Sequence, residues 1–220
     1  VDNRLVHSQL LPGQQSGVRA VCSSTDENSG CTLVAVGGGK LCLQFFMISD
    51  GNQKPCGVDV LFLGLGWRVE RDAINHRYNV LRSLVLCDDD QSVHHVFAGD
   101  SNGCVTLFKV QSEARKTIKG KVVFRKETPI LSLAIVFIGS RLILFIGSTS
   151  GSIDILELDA KEAEARLLLS VDCHCIGTNC IAAQTKARGG QTRITVCSGG
   201  DDQALSCLDL DVAVSREGTV

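Results

Sequence analysis

The sequence predicts an all-β chain built from about four small antiparallel sheets, and three observations carry that prediction. First, one hexapeptide pattern recurs: Leu43–Ile48 (LQFFMI), Val105–Val110 (VTLFKV), Ile153–Leu158 (IDILEL) and Leu205–Leu210 (LSCLDL). Each copy is apolar at its first, third, fourth and sixth positions and polar at its second. Second, a small-residue turn precedes three of the copies: Ala98 to Gly103, Ile146 to Gly151 and Ser198 to Gln203. Third, the copies start 62, 48 and 52 residues apart. A recurrence of roughly 40–50 residues, made of short strands and tight turns, marks the blades of a β-propeller. A four-stranded blade has two apolar faces and cannot bury both alone, so stacking is what makes the repeat stable.

The elements follow in order. Residues 1–13 are a polar N-terminal segment, expected to hold the outer strand of a preceding blade. The first blade spans 14–65, with strands at Gln15–Val21, Thr32–Val36, Leu41–Ile48 and Val58–Leu63. A polar insertion at 66–76 accounts for the long first step. The second blade spans 77–126, with strands at Leu81–Leu86, His95–Ala98, Cys104–Val110 and Lys121–Phe124. The third spans 128–172, with strands at Ile130–Phe137, Leu142–Ile146, Ser152–Leu158 and Arg166–Val171. An incomplete fourth blade spans 173–212 and opens at Cys175–Ile181; residues 213–220 form a tail. A propeller needs more blades than this to close, so this is a partial propeller whose remaining blades are expected elsewhere in a longer protein.

Composition agrees with this reading. The 220 residues are 44% hydrophobic but only 5% aromatic, so Val, Ile, Leu and Cys must supply the core. Three prolines and 22 glycines suit short strands and tight turns. A net charge of −2 gives no general attraction for nucleic acid or acidic lipid. Eleven cysteines, an odd number and mostly inside apolar strands, do not form a secreted disulfide framework. A reducing compartment, cytosolic or nuclear, is expected, with the cytoplasm preferred. The run Ile130–Ile146 is apolar enough to imitate a membrane span, but a central Arg141 and the blade period assign it to two strands. No membrane association is expected.

The turn-and-strand units resemble WD40 repeats, whose usual form is Ser-Gly-Ser-x-Asp-Gly-x-Ile-x-Ile-Trp-Asp. Ser198-Gly199-Gly200-Asp201-Asp202 and Leu208-Asp209 come nearest to it. Phe46, Phe108, Leu156 and Leu208 stand where the repeat has Trp, and no Gly-His dipeptide precedes the first strands. The side-chain network of Trp, His, Asp and Ser is therefore not carried over from the resemblance. A second resemblance rests on Gln15 to Val18, Leu33 to Gly38, Arg77-Tyr78 and, most specifically, Val196 to Leu205. These segments are similar to the C-terminal propeller of the WD-repeat proteins that serve as auxiliary subunits of the tRNA wobble-position 2′-O-methyltransferase. That resemblance covers most of 14–210. It implies a non-catalytic adaptor in tRNA processing: the partner enzyme holds S-adenosylmethionine, and the propeller helps position the anticodon arm. The alternative is a WD40 scaffold in another pathway, such as ubiquitination or trafficking.

Arg115, Lys116, Lys119, Lys121, Arg125 and Lys126 form a basic run that could contact tRNA phosphates, although only Phe124 is interleaved for stacking. Asp100, Gly103, Gly151, Asp201 and Asp202 are structural turn residues. Cys173, His174, Cys175 and Cys180 are chemically suited to zinc, but their spacing is not a paired C-x₂-C, so packing is the better assignment. Gly37-Gly38-Gly39-Lys40 lacks the rest of a phosphate loop, and Asp88-Asp89-Asp90 lacks the rest of a calcium loop. No nucleophile motif accompanies the five histidines. No catalysis, metal, cofactor or small-molecule substrate is therefore expected. A cysteine-based enzyme, pairing a thiol with a histidine such as His174, is the third and least supported reading.

Overall fold

The computed structural model describes residues 17–38, 43–50, 58–67, 77–88, 91–111, 118–138, 141–159, 162–188 and 191–212. Every regular element among them is a strand. The first sheet comprises β1 (Val18–Thr25), β2 (Thr32–Gly38), β3 (Leu43–Asp50) and β4 (Val58–Trp67). The second comprises β5 (Tyr78–Asp88), β6 (Gln91–Asp100), β7 (Cys104–Val110) and β8 (Ile118–Arg125). The third comprises β9 (Ile130–Ile138), β10 (Arg141–Ser148), β11 (Ser152–Asp159) and β12 (Glu164–Asp172). The fourth has three strands: β13 (Thr178–Arg188), β14 (Gln191–Gly200) and β15 (Leu205–Val212). Within each of these groups neighbouring strands follow chain order, and the first two groups are joined where the ends of β4 and β8 meet.

The four hexapeptides occupy one equivalent place, the third strand of each sheet. Their apolar pattern puts positions one and three on one face and positions four and six on the other. Two compact units result, one of residues 1–100 with 105–122 and the other of residues 101–104 with 123–220. In the first unit, Leu43 and Phe45 join Phe108 and Val110 in one core with Tyr78, Leu81 and Val96. The rings of Phe45 and Phe108 lie 5.8 Å apart, and Tyr78 meets Phe108 edge-on at 6.5 Å. In the second unit, Ile153 and Ile155 share a core with Leu208 and Leu210. Each unit thus packs positions one and three of one sheet against positions four and six of the next. In the fourth sheet, positions one and three are uncovered: Leu205 is 76% exposed, and Cys207 is exposed beside it.

A second repeat lies beneath the first. Gly37, Gly99, Gly147 and Gly199 each stand six residues before their hexapeptide, on the second strand. Opposite each, the first strand carries an extra residue, at Arg19, Asn79, Leu131 and Asn179. Such a bulge bends the strand and strengthens its twist. The glycine allows close approach. A Cβ on Gly37 would meet Tyr78 at 3.1 Å, and one on Gly147 would meet Ser132 Oγ at 2.3 Å.

The strands differ from expectation mainly at their ends. The first strands run later or longer than the apolar pattern indicates, as at Val18–Thr25 and Tyr78–Asp88, because backbone pairing continues through polar residues. The fourth sheet opens at Thr178 rather than Cys175; residues 173–177 cross between sheets. Strand β4 extends through Gly66 and Trp67, two residues into the segment expected as an insertion. There it pairs in parallel with Ile118 and Lys119 of β8. The apolar run 130–146 forms β9 and β10, paired from Ile130↔Ser148 to Ile138↔Arg141. Among the described residues, no helix is long and apolar enough to cross a membrane.

Three residues at one repeat position adopt the left-handed conformation: Gly103 (φ 77°), Gly151 (φ 85°) and Gln203 (φ 62°). A Cβ on Gly103 would stand 1.9 Å from the Lys126 carbonyl oxygen, and one on Gly151 would stand 2.0 Å from that of His174. Gly103→Ala and Gly151→Ala should each cost about 3 kcal/mol or more, combining left-handed strain with a backbone clash. Gln203→Gly should instead stabilise by about 0.5 kcal/mol, since relief of strain outweighs the added chain entropy. Denaturant midpoints of the three variants check the opposite signs.

Candidate functional site

The segments that cross from one sheet to the next carry the polar chemistry of the second unit. The carbonyl of Gly103 accepts the N–H of Lys126 at 2.8 Å, and that of Gly151 accepts the N–H of His174 at 3.0 Å. Both pairs are separated by 23 residues, so Lys126 and His174 are the same position in successive repeats. Each side chain turns inward from there, and each finds a different partner.

His174 is buried and uses both ring nitrogens. Nδ1 lies 3.0 Å from Asp202 Oδ1, and Nε2 lies 2.9 Å from Ser198 Oγ. A proton assigned to Nδ1 donates to the carboxylate and leaves Nε2 to accept the serine hydroxyl. Asp202 also accepts the N–H groups of Cys175 at 2.9 Å and Ala204 at 3.1 Å. The Cys175 N–H, followed by that of Ala204 and the His174 ring, holds the Asp202 carboxyl below the ordinary carboxylate range. Its neighbour Asp201 accepts from the Asn179 side-chain amide, and the Asp201 N–H donates to the Gly177 carbonyl. A histidine, an aspartate and a serine are therefore joined in this repeat, three of the four residue types that the resemblance alone did not carry over, and Leu208 stands at the place of the Trp. The histidine was hidden because Cys173, and not Gly, precedes it.

Lys126 solves the same problem differently. Its ammonium donates to Asp154 Oδ2 at 2.8 Å and to Ser152 Oγ at 2.5 Å. Ser170 Oγ donates to the other carboxylate oxygen at 2.6 Å. Ser148, Ser150 and Ser152 continue the chain of hydroxyls at 2.8 and 2.9 Å. Asp154 is the polar second residue of its hexapeptide and is buried. Lys126, a member of the expected basic run, is therefore half-buried and ion-paired to Asp154.

In the first unit, Asp26 organises the turn between β1 and β2. It accepts from Ser29 Oγ at 2.7 Å, Ser92 Oγ at 3.0 Å and the Asn28 N–H at 3.1 Å. The Ser29 hydroxyl is the main cause of its lowered pKa. Nearby, Ser24 Oγ and His94 Nδ1 are 2.9 Å apart, and burial pushes the His94 pKa down.

The remaining candidates separate. Lys121 and Arg125 are exposed on β8. Lys119 lies on the same strand, opposite Trp67. Arg115 and Lys116 fall outside the described residues. Asp100 ends β6 and is buried, and Gly103 and Gly151 form the left-handed turns already described. Cys175 and Cys180 are exposed, while His174 is committed to Asp202 and Ser198. Among the described residues, no group of three His, Cys, Asp or Glu side chains is placed to hold a metal. The order Ser198–His174–Asp202 imitates a nucleophile, base and orienting carboxylate. Ser198 is 2% exposed, so a substrate carbonyl could reach its Oγ only if the sheet opened. The arrangement is a clamp between the crossing segment and the hairpin of β14 and β15.

No protein-family model matches the chain, and no curated protein matches it. Among solved structures, it is similar to Sqt1 of Saccharomyces cerevisiae, a WD40-type propeller protein, with a TM-score of 0.51 and 13% identity. The likeness covers 83% of this chain and 43% of that one, so the chain spans less than half of its neighbour's length. At that identity the likeness concerns the fold, which is all-β and WD40-like.

Two tests follow from the clamps. Lys126→Ala should cost about 3 kcal/mol by leaving Asp154 buried and uncompensated, whereas Lys126→Met combined with Asp154→Leu should recover most of that loss. Asp202, with its pKa lowered, contributes stability that is full above the unfolded value and is lost as pH falls through the folded one. Asp202→Asn should lower the thermal midpoint at neutral pH and flatten the acid limb below about pH 4, as read by a pH series of melts.

Proposed function

We propose that the chain is a non-catalytic interaction platform, part of an auxiliary subunit that assists 2′-O-ribose methylation at the tRNA wobble position in the cytoplasm. In this reading the partner enzyme carries S-adenosylmethionine and the reacting groups. The chain contributes rigid sheets that present the anticodon arm. The observation that carries the reading is the segment 196–205. The stretch that most resembles the auxiliary-subunit family is the hairpin through which Ser198 and Asp202 grip His174.

The polar side chains support a platform rather than a catalyst. The serine, histidine and aspartate that could react are enclosed in a structural clamp, and Asp154 is occupied by Lys126 and Ser170. The WD40-like fold supports a scaffold of the same general kind. Exposed Lys121 and Arg125 supply positive charge of the type that contacts phosphate, which positions RNA without reading its sequence.

Affinity purification of the full-length protein should recover a tRNA ribose methyltransferase, and deletion of its gene should abolish wobble ribose methylation measured by nucleoside mass spectrometry. Lys121→Gln with Arg125→Gln should weaken tRNA binding by the complex several-fold. The same pair should reduce the slope of log affinity against log salt by about one per lost phosphate contact. Unchanged wobble methylation, with no methyltransferase recovered, would overturn the reading.

A further inference from the structure

The fourth sheet carries two thiols that no part of the platform reading uses. Cys197 on β14 and Cys207 on β15 are directly opposed in the antiparallel register. Their Sγ atoms are 3.2 Å apart, and both are free thiols. Directly opposed residues on antiparallel strands have Cα atoms about 4.5–5.5 Å apart, within the span that a disulfide bridges without backbone movement. Nearby sulfurs have different neighbours: Cys180 of β13 lies against the Gly199 carbonyl, and Cys173 of the crossing segment packs against the core. Cys207 stands on the uncovered face beside Leu205, where a small reagent can reach it.

We propose that Cys197 and Cys207 form a reversible dithiol–disulfide site that takes a small-molecule disulfide as its oxidant. The exposed Cys207 thiolate attacks one sulfur of that disulfide. A mixed disulfide forms, the reagent's own S–S bond breaks, and one small thiolate leaves. The sulfur of Cys197, having given its proton to water, then attacks the Cys207 sulfur and expels the second small thiol. Two protein thiols are oxidised to one disulfide, and one external disulfide is reduced to two thiols. The hydrogen bond to Cys207 keeps the Cys197 thiol pKa raised, which fits a resolving rather than an attacking role. The resulting staple would close the hairpin whose turn carries Asp202, and so tie the redox state of the pair to the grip on His174.

The test uses the native reduced protein and oxidised glutathione, followed by alkylation, trypsin digestion and mass spectrometry. Cleavage after Arg193 and Arg216 releases one peptide containing Cys197 and Cys207 and no other cysteine. That peptide should lose two hydrogens and retain no glutathione, with the mixed adduct below about a tenth of the disulfide form, since the resolving thiol is already in place. Exposed Cys175 and Cys180 serve as internal controls that the oxidant has reached the protein. In Cys197→Ser, the same peptide should keep its glutathione on Cys207. Two free thiols, or two stable glutathione adducts, on the wild-type peptide once Cys175 and Cys180 are modified would overturn the proposal.

Discussion

The second unit depends on a carbonyl that must come unusually close to another stretch of backbone. Gly103 and Gly151 sit in left-handed turns and offer their carbonyls to Lys126 and His174. No side chain fits in that gap, because a Cβ there would overlap a carbonyl oxygen at about 2 Å. The close approach delivers the crossing segment to one spot at the start of each following sheet. Once the backbone of residue 126 or 174 is held, its side chain can point only toward the hairpin beside it. The polar clamps and the pairing of apolar faces follow from that placement.

The two clamps show how much chemistry one backbone position tolerates. A buried aspartate needs an opposite charge, which the half-buried Lys126 supplies to Asp154, the second residue of its hexapeptide. A buried histidine needs an acceptor and a donor, which Asp202 and Ser198 supply from the neighbouring turn and strand. Removing one partner from either set would leave a buried polar group unsatisfied, and that penalty exceeds the net gain from forming the bond. The Ser–His–Asp arrangement follows this logic of satisfaction, and its serine is enclosed by the sheet.

The fourth sheet differs from the third in what covers it. In β11, positions one and three are Ile153 and Ile155, both buried. In β15, the same positions are Leu205 and Cys207, both exposed. Beside them lies a surface of Arg193, Asp209 and Asp211, joined by the Arg193–Asp211 bond at 2.9 Å. Exposed ion pairs of this kind contribute little stability. The grip on this sheet comes from its other face, through Ile181, Ile194 and Val196.

Much of the architecture was legible in the chain because hydrophobic period is a local property. Positions one, three, four and six of each hexapeptide suit a strand with two apolar faces, both covered in β3, β7 and β11 and only one covered in β15, and the small residues before it suit a tight turn. The steps of 62, 48 and 52 residues therefore mark the third strands in the sequence itself. The glycine six residues upstream was present at the same steps, but its reason lay in the strand opposite, where a bulge narrows the space. The basic run was legible as charge and not as contact: only the fold separates Lys126, turned inward to Asp154, from Lys121 and Arg125 on the surface. The partners of His174 were similarly hidden, since Ser198 and Asp202 lie 24 and 28 residues away. Local pattern determined where strands and turns fall. Which polar side chains meet was decided only when the turns brought distant segments within hydrogen-bonding reach, because a hydrogen bond depends on distance in space and leaves no period in the sequence.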